Sequence, residues 1–169
     1  GPVISEIQMK KILNYIDIGV KEGAKLACGG KRITDGPFAK GFFIEPTVFL
    51  DCTNDMRIAQ EEIFGPVLVV EKFSTEAEAF RLANETIYGL GAAIYTNDVG
   101  RTWRFIKSVK AACLQVNTYF SVAALDAPTS CCKQSGYNTL MGTACLESYM
   151  DMKQVSVKNT PSKFGWFKG

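Results

Sequence analysis

Glu61-Glu62-Ile63-Phe64-Gly65-Pro66 is the stretch on which the reading of this chain turns. A carboxylate and an aromatic ring stand two residues apart and are closed by Gly-Pro. That combination makes a rigid acidic corner with a flat apolar face. It suits a ribose diol, because an ionised carboxylate accepts hydrogen bonds from two hydroxyls and a neighbouring ring packs against a heterocycle. Glu61 offers a second acid, but adjacent side chains diverge in direction, so a solvated face is expected for it rather than a dyad.

Outward from the corner, the pattern alternates between helical and strand periods. Residues 56–60 predict a short helix leading into it, and 67–73 a buried-type strand leading away. Upstream, Ser5 with Gln8 three residues later is a capping-box signal. Met9, Ile12, Leu13, Ile16 and Val20 follow at helical spacing, and Gly23 stops the run, predicting a helix over 6–22. Residues 24–28 read as a strand with Cys28 in the core. Residues 42–50 read as a strand that Pro46 interrupts, which places it at an edge or bends it.

Downstream, a helix is predicted from Thr75 to Thr86 and a strand over 91–96. A helix over 99–109 is expected to turn Trp103, Ile106 and Val109 inward, and another strand covers 113–117. Met141 to Met152 reads as helical and Val155 to Val157 as a short alternating strand. The tail from Pro161 carries exposed aromatics. The element order predicts an α/β layer with a sheet largely parallel in its centre.

Hydrophobic residues make up 47% of the 169 positions and charged residues 21%, which suits one globular domain or one with an appendage. A net charge of +2, with lysines scattered rather than interleaved with aromatics, predicts no nucleic-acid partner. No apolar run reaches the roughly 18 residues of a membrane span, and the first residues lack the pattern of a targeting peptide. Six cysteines without that pattern predict reduced thiols and a cytoplasmic location. Histidine is absent and no CxxC occurs, so no metal site is expected, and Cys-His and Ser-His nucleophile pairs are ruled out.

Three tempting motifs have plainer explanations. Gly89-Leu90-Gly91-Ala92-Ala93 lacks the third glycine of a dinucleotide loop and is followed by strand, not helix. Cys131 and Cys132 have no evident general base, although Lys133 beside them is positioned to favour a thiolate; a pair of small loop residues is the simpler account. Arg101, Arg104 and Lys107 form a basic helical stripe that reads as solvated surface.

The hexapeptide resembles the cofactor-ribose motif of NAD(P)-dependent aldehyde dehydrogenases. Further strings match in collinear order: Gly1-Pro2-Val3-Ile4-Ser5, Gly23-Ala24-Lys25-Leu26-Ala27-Cys28-Gly29-Gly30, Gly41-Phe42-Phe43-Ile44-Glu45-Pro46-Thr47-Val48 and Asp55-Met56-Arg57-Ile58-Ala59. Ala83-Asn84-Glu85-Thr86-Ile87-Tyr88-Gly89-Leu90, Val116-Asn117-Thr118-Tyr119, Lys133-Gln134-Ser135-Gly136 and Leu146-Glu147-Ser148-Tyr149 continue the series. The likeness spans nearly the whole chain and is similar in flavour to the betaine-aldehyde and general aldehyde branches.

The resemblance implies an incomplete aldehyde dehydrogenase catalytic domain over 1–150 and an oligomerisation strand with its tail over 151–169. It implies NAD or NADP as cofactor, with Glu62 on the nicotinamide-side ribose hydroxyls and Phe64 beside that ribose and the ring. Gln8 and Lys11 match positions that approach the adenosine half. Residues 121–129 correspond to a loop bordering the aldehyde tunnel, and 152–159 to a strand joining a neighbouring subunit's sheet. The family's reaction oxidises an aldehyde to an acid: a thiolate adds to the carbonyl, hydride passes to the nicotinamide, and activated water hydrolyses the thioester.

The family's Gly-Gln-x-Cys nucleophile and Glu-Leu-Gly-Gly base strings do not occur in these residues, and no catalytic residue is assigned. The isolated chain is therefore expected to be inactive, as part of a longer enzyme. The alternative is a stand-alone, non-catalytic module that associates with copies of itself or with a full-length relative. Departures gather on the substrate side. Pro128-Thr129-Ser130-Cys131-Cys132-Lys133 replaces the usual Pro-Phe-Gly-Gly-Tyr-Lys, so an aromatic wall is lost, and Tyr137-Asn138-Thr139-Leu140 stands where Gly-Arg-Glu is usual.

Overall fold

Ser5 starts the first element. Its backbone is extended, and its side-chain oxygen accepts the Gln8 N–H at 3.2 Å, satisfying one orphan donor of helix α1, Glu6–Lys21. The structure is a computed structural model and describes residues 1–119 and 126–159. Met9, Ile12, Ile16 and Gly19 form the buried stripe of α1. Gly19 matters by its lack of a side chain: a Cβ there would lie 2.9 Å from Ile58 Cδ1 and 3.1 Å from Phe49 Cζ. The helix therefore sits directly on the sheet.

That sheet has three strands in the order β1 (Lys25–Cys28), β2 (Thr47–Leu50), β3 (Val67–Val69). β1 runs antiparallel to β2, and β3 parallel to it. β2 is thus central, so of the edge position and the bend expected from Pro46 the edge position does not hold. The strand begins just after the proline, which has no N–H to give the ladder. Only Thr47–Leu50 of the expected 42–50 is regular, with Ile44 bridging Arg32. β3 stops at Val69 rather than Phe73, because its partner β2 ends at Leu50 and the next residue, Asp51, turns away at φ 55°.

Thr47 is the one buried polar residue among those described. Its hydroxyl accepts the Gly30 N–H at 2.9 Å and donates to the Glu45 carbonyl at 2.8 Å. Phe49 and Ile12 are fully buried at the centre, with Met9, Ile16, Ile44, Ile58 and Ile63 around them. Cys28 is exposed, contrary to its expected core position. β1 is an edge strand with every residue exposed, and the Cys28 thiol lies 3.7 Å from the Pro46 carbonyl.

The short helix α2 (Arg57–Gln60) packs beside α1. Helix α3 (Glu76–Asn84) is capped reciprocally: the Thr75 hydroxyl accepts the Glu78 N–H, and the Glu78 carboxylate accepts the Ser74 N–H. β4 (Gly91–Ile94) and β5 (Cys113–Val116) pair in parallel, with helix α4 (Val99–Ser108) between them in sequence. Gly89 stands ahead of β4, and Gly91 is its first residue. The class is α/β with parallel pairing as expected, but divided between two small sheets.

Val109 is buried as expected, but the other two residues expected to face inward with it are not. Phe105 and Val109 are buried, one helical turn apart, while Trp103 is 59% exposed and Ile106 38% exposed. Phe105 meets Phe80 of α3 with ring centroids 6.2 Å apart. The basic stripe is exposed, as expected, but its two arginines are paired. Glu76 of α3 binds Arg101 at 3.0 Å and takes two bonds from Arg104.

The Arg104 and then the Arg101 guanidinium hold the Glu76 carboxyl down to about 2. A depressed folded-state pKa favours the folded chain above the unfolded carboxylate range, and the contribution is lost as pH falls toward 2. A pH series of urea midpoints should fall more steeply between pH 4.5 and 2 for the native chain than for Glu76→Gln. Parallel curves would rule the pairing out.

Within 141–152, expected to be helical, Thr143–Tyr149 form a 3-10 helix. Residues 151–159 contain no strand, and Val155 and Val157 are 72% and 77% exposed. A strand is defined by its pairing, and no described edge lies alongside this one. The aromatic tail from Pro161, and residues 121–125 of the expected tunnel loop, lie outside the described residues.

Candidate functional site

The acidic corner is held at both ends. On entry, the Glu61 N–H caps α2 by donating to the Arg57 carbonyl at 2.8 Å, and Ile63 plunges into the core. On exit, the Val67 N–H donates to the Gly65 carbonyl at 2.8 Å and the Thr47 N–H to the Pro66 carbonyl at 2.9 Å. Between these anchors Phe64 adopts φ 57°, a left-handed conformation costing about 1–2 kcal/mol for a residue with a Cβ. The result is an aromatic ring turned out of the core and 71% exposed.

One face of α1 supports this strained turn. The Gln8 amide donates to the Phe64 carbonyl at 2.8 Å and to the Ile63 carbonyl at 3.3 Å. The Lys11 ammonium donates to the Glu62 carbonyl at 3.4 Å. Gly65 rests on Ile12, where a Cβ would fall 2.5 Å from Ile12 Cδ1. All four residues singled out from sequence therefore meet at one place. Gln8 and Lys11 grip the corner's backbone, while Glu62 and Phe64 face outward. The Glu62 carboxylate takes no hydrogen bond from another described residue, which leaves its oxygens available to a ligand.

Glu61 is half-exposed, but its carboxylate is paired rather than simply solvated. Arg57 binds it through two nitrogens at 2.8 and 2.9 Å, and the Tyr15 hydroxyl donates to it at 2.6 Å. Arg57 and then Tyr15 hold the Glu61 carboxyl down to about 2, and Glu61 in turn raises the Tyr15 hydroxyl above its ordinary value. Two sequence signals pointed this way. Arg57 and Glu61 stand four apart across one turn, and Tyr15 follows Gln8 and Lys11 on the same helical face.

The Cys131-Cys132 loop lies elsewhere, folded against 84–89. The Lys133 ammonium donates to the Asn84 and Thr86 carbonyls at 2.9 and 3.0 Å, so it is directed to the backbone. The Gly89 N–H donates to the Ser135 hydroxyl at 3.0 Å. Among the described residues, no group of three or more Cys, Asp or Glu side chains converges to hold a metal ion.

The family model described as "Aldehyde dehydrogenase family" matches residues 1–155. The chain belongs to the aldehyde dehydrogenase family. Betaine aldehyde dehydrogenase of Bacillus subtilis (strain 168) is 43% identical over 167 residues, covering 99% of this chain and 34% of that protein. The peroxisomal aminoaldehyde dehydrogenase 1 of Pisum sativum is 42% identical over 168 residues, 99% of this chain and 33% of the relative. Among solved structures, betaine aldehyde dehydrogenase of Staphylococcus aureus in complex with NAD+ matches with a TM-score of 0.92 and 40% identity. That match covers 100% of this chain and 33% of the other. The chain thus spans about a third of the length of these aldehyde dehydrogenases. No described helix is long and apolar enough to cross a membrane.

Proposed function

We propose that this chain supplies the ribose-gripping corner of an NAD(P)-dependent aldehyde dehydrogenase that oxidises an aldehyde to a carboxylic acid. Residues 1–150 serve as part of the catalytic domain, and 151–169 as an association strand and tail. The observation that carries this reading is the strained corner, with its unclaimed Glu62 carboxylate and outward Phe64 ring on a helix-backed turn. An exposed carboxylate beside an exposed ring fits a ribose next to a flat heterocycle. Glu62 would accept from the two hydroxyls, and Phe64 would cover the sugar and one edge of the ring. Gln8 and Lys11 hold the turn from behind, on the side assigned to the adenosine half. The nicotinamide, when bound, accepts the hydride.

The isolated 169-residue chain is expected to show no aldehyde-dependent NADH formation, because it contributes neither the attacking thiolate nor the water-activating base. It is expected to bind NAD+ weakly, since the phosphates need a helix N-terminus and backbone donors from elsewhere. Titration of NAD+ followed by NMR of the Phe64 ring should give a saturable shift. Glu62→Gln should weaken it roughly tenfold or more, the weight of hydrogen bonds to a charged group. Equal titrations for the two proteins would sink the ribose assignment.

A second function rests on the exposure of Val155 and Val157. In it, the chain is a non-catalytic module whose end pairs with a sheet edge of another copy or of a longer relative. Concentration-dependent association without an NAD+ response would favour this role over the first.

A further inference from the structure

Resting on the ribose assignment, we propose that Tyr15, Glu61 and Arg57 act as positioning residues, setting the direction in which Glu62 and Phe64 face the cofactor. The bridge joins three separate pieces of the fold: α1 through Tyr15, α2 through Arg57, and the corner's first residue through Glu61. Arg57 presents a planar fork to both oxygens of the carboxylate, which fixes its plane as well as its place. Tyr15 closes the remaining side at 2.6 Å, and the Arg57 and Lys11 cations flank its ring, each 5.7 Å from the centroid.

Glu61 and Glu62 share a peptide unit, so pinning one side chain limits how the other can swing. The Glu62, Ile63 and Phe64 carbonyls are held by Gln8 and Lys11 of the same helix. Gln8, Lys11, Ile12 and Tyr15 together make one face of α1 that serves as a splint for residues 61–65. The bridge also settles which acid is available. Arg57 neutralises Glu61, so that only Glu62 is free to accept hydroxyls. Exposed ion pairs across one helical turn add little to global stability. The bridge should consequently show itself in corner geometry and ligand binding, not in the unfolding midpoint.

The test uses the 169-residue chain with Tyr15→Phe, Glu61→Gln and Arg57→Lys, the last keeping the charge but losing the fork. Amide exchange is followed at Glu61 and Val67, whose N–H groups close the corner, and at Val109 of the remote α4 region. Loss of the bridge should speed exchange at the corner about tenfold through local opening and leave Val109 unchanged. The NAD+ affinity reported by Phe64 should fall severalfold in Tyr15→Phe and Glu61→Gln, with Arg57→Lys intermediate. Unaltered exchange, or faster exchange with unaltered NAD+ affinity, overturns the positioning role while leaving the ribose assignment intact. A native chain whose Phe64 ignores NAD+ overturns both. Should one variant lose protection at Val109 as well, it has unfolded, and the other two decide the matter.

Discussion

Phe49→Ala is expected to destabilise the chain by about 3–5 kcal/mol, the largest loss of any single truncation in this fold. Phe49 is fully buried in the central strand of the three-stranded sheet, and its ring lies under Gly19 of α1. Truncation removes apolar contact on two sides at once. The helix cannot settle into the space freely, because Ile58 already fills the other flank of Gly19. Urea unfolding followed by circular dichroism measures the cost. Trp103→Ala is the contrast: a larger deletion at a 59% exposed site, still expected to cost well under half as much. Were the two losses alike, the assignment of the core to the α1 side of the sheet would be wrong.

That contrast also marks the limit of what periodicity reveals. Helix α1 was legible to within a residue, because its cap, apolar stripe and stop signal all agree. In α4 the apolar residues admit two faces, and spacing alone favours Trp103 and Ile106. Phe80 of α3 decides for Phe105, and a partner from another element is invisible in a local window. Pro46 misled for a related reason. It was read as lying within a strand, whereas it precedes one, and a proline at that boundary costs no ladder bond. Cys28 is small and apolar, but the edge position of β1 left it exposed. The segment around Val155 alternates like a strand and has no described neighbour with which to become one.

The site shows the same division. Glu62 and Phe64 were legible because a carboxylate, a ring and a Gly-Pro closure carry their chemistry locally. Gln8 and Lys11 came from family resemblance, and the structure adds that they hold the corner's carbonyls. The tyrosine partner of Glu61 was missed, since the hydroxyl that claims it lies 46 residues away on α1. A local rule gave the correct divergence of adjacent side chains. What Glu61 diverges toward is a tertiary fact.

Ile12 is where stability and site meet, and its truncation to alanine is expected to cost about 2–5 kcal/mol. The side chain is fully buried, and its Cδ1 is the atom on which Gly65 rests. Ile12→Ala should therefore shift the urea midpoint and, in the protein that remains folded, blunt the response of Phe64 to NAD+. Ile12→Val separates the two effects. It deletes only the methyl beneath Gly65 and should cost about 0.5–1.5 kcal/mol. The corner would lose its floor while the core keeps most of its packing. A loss of NAD+ response in Ile12→Val out of proportion to its small stability change would show that α1 shapes the corner directly. If NAD+ response merely tracks stability through native, valine and alanine forms, Ile12 is a core residue that happens to lie nearby. The splint would then reduce to the polar contacts of Gln8, Lys11 and Tyr15.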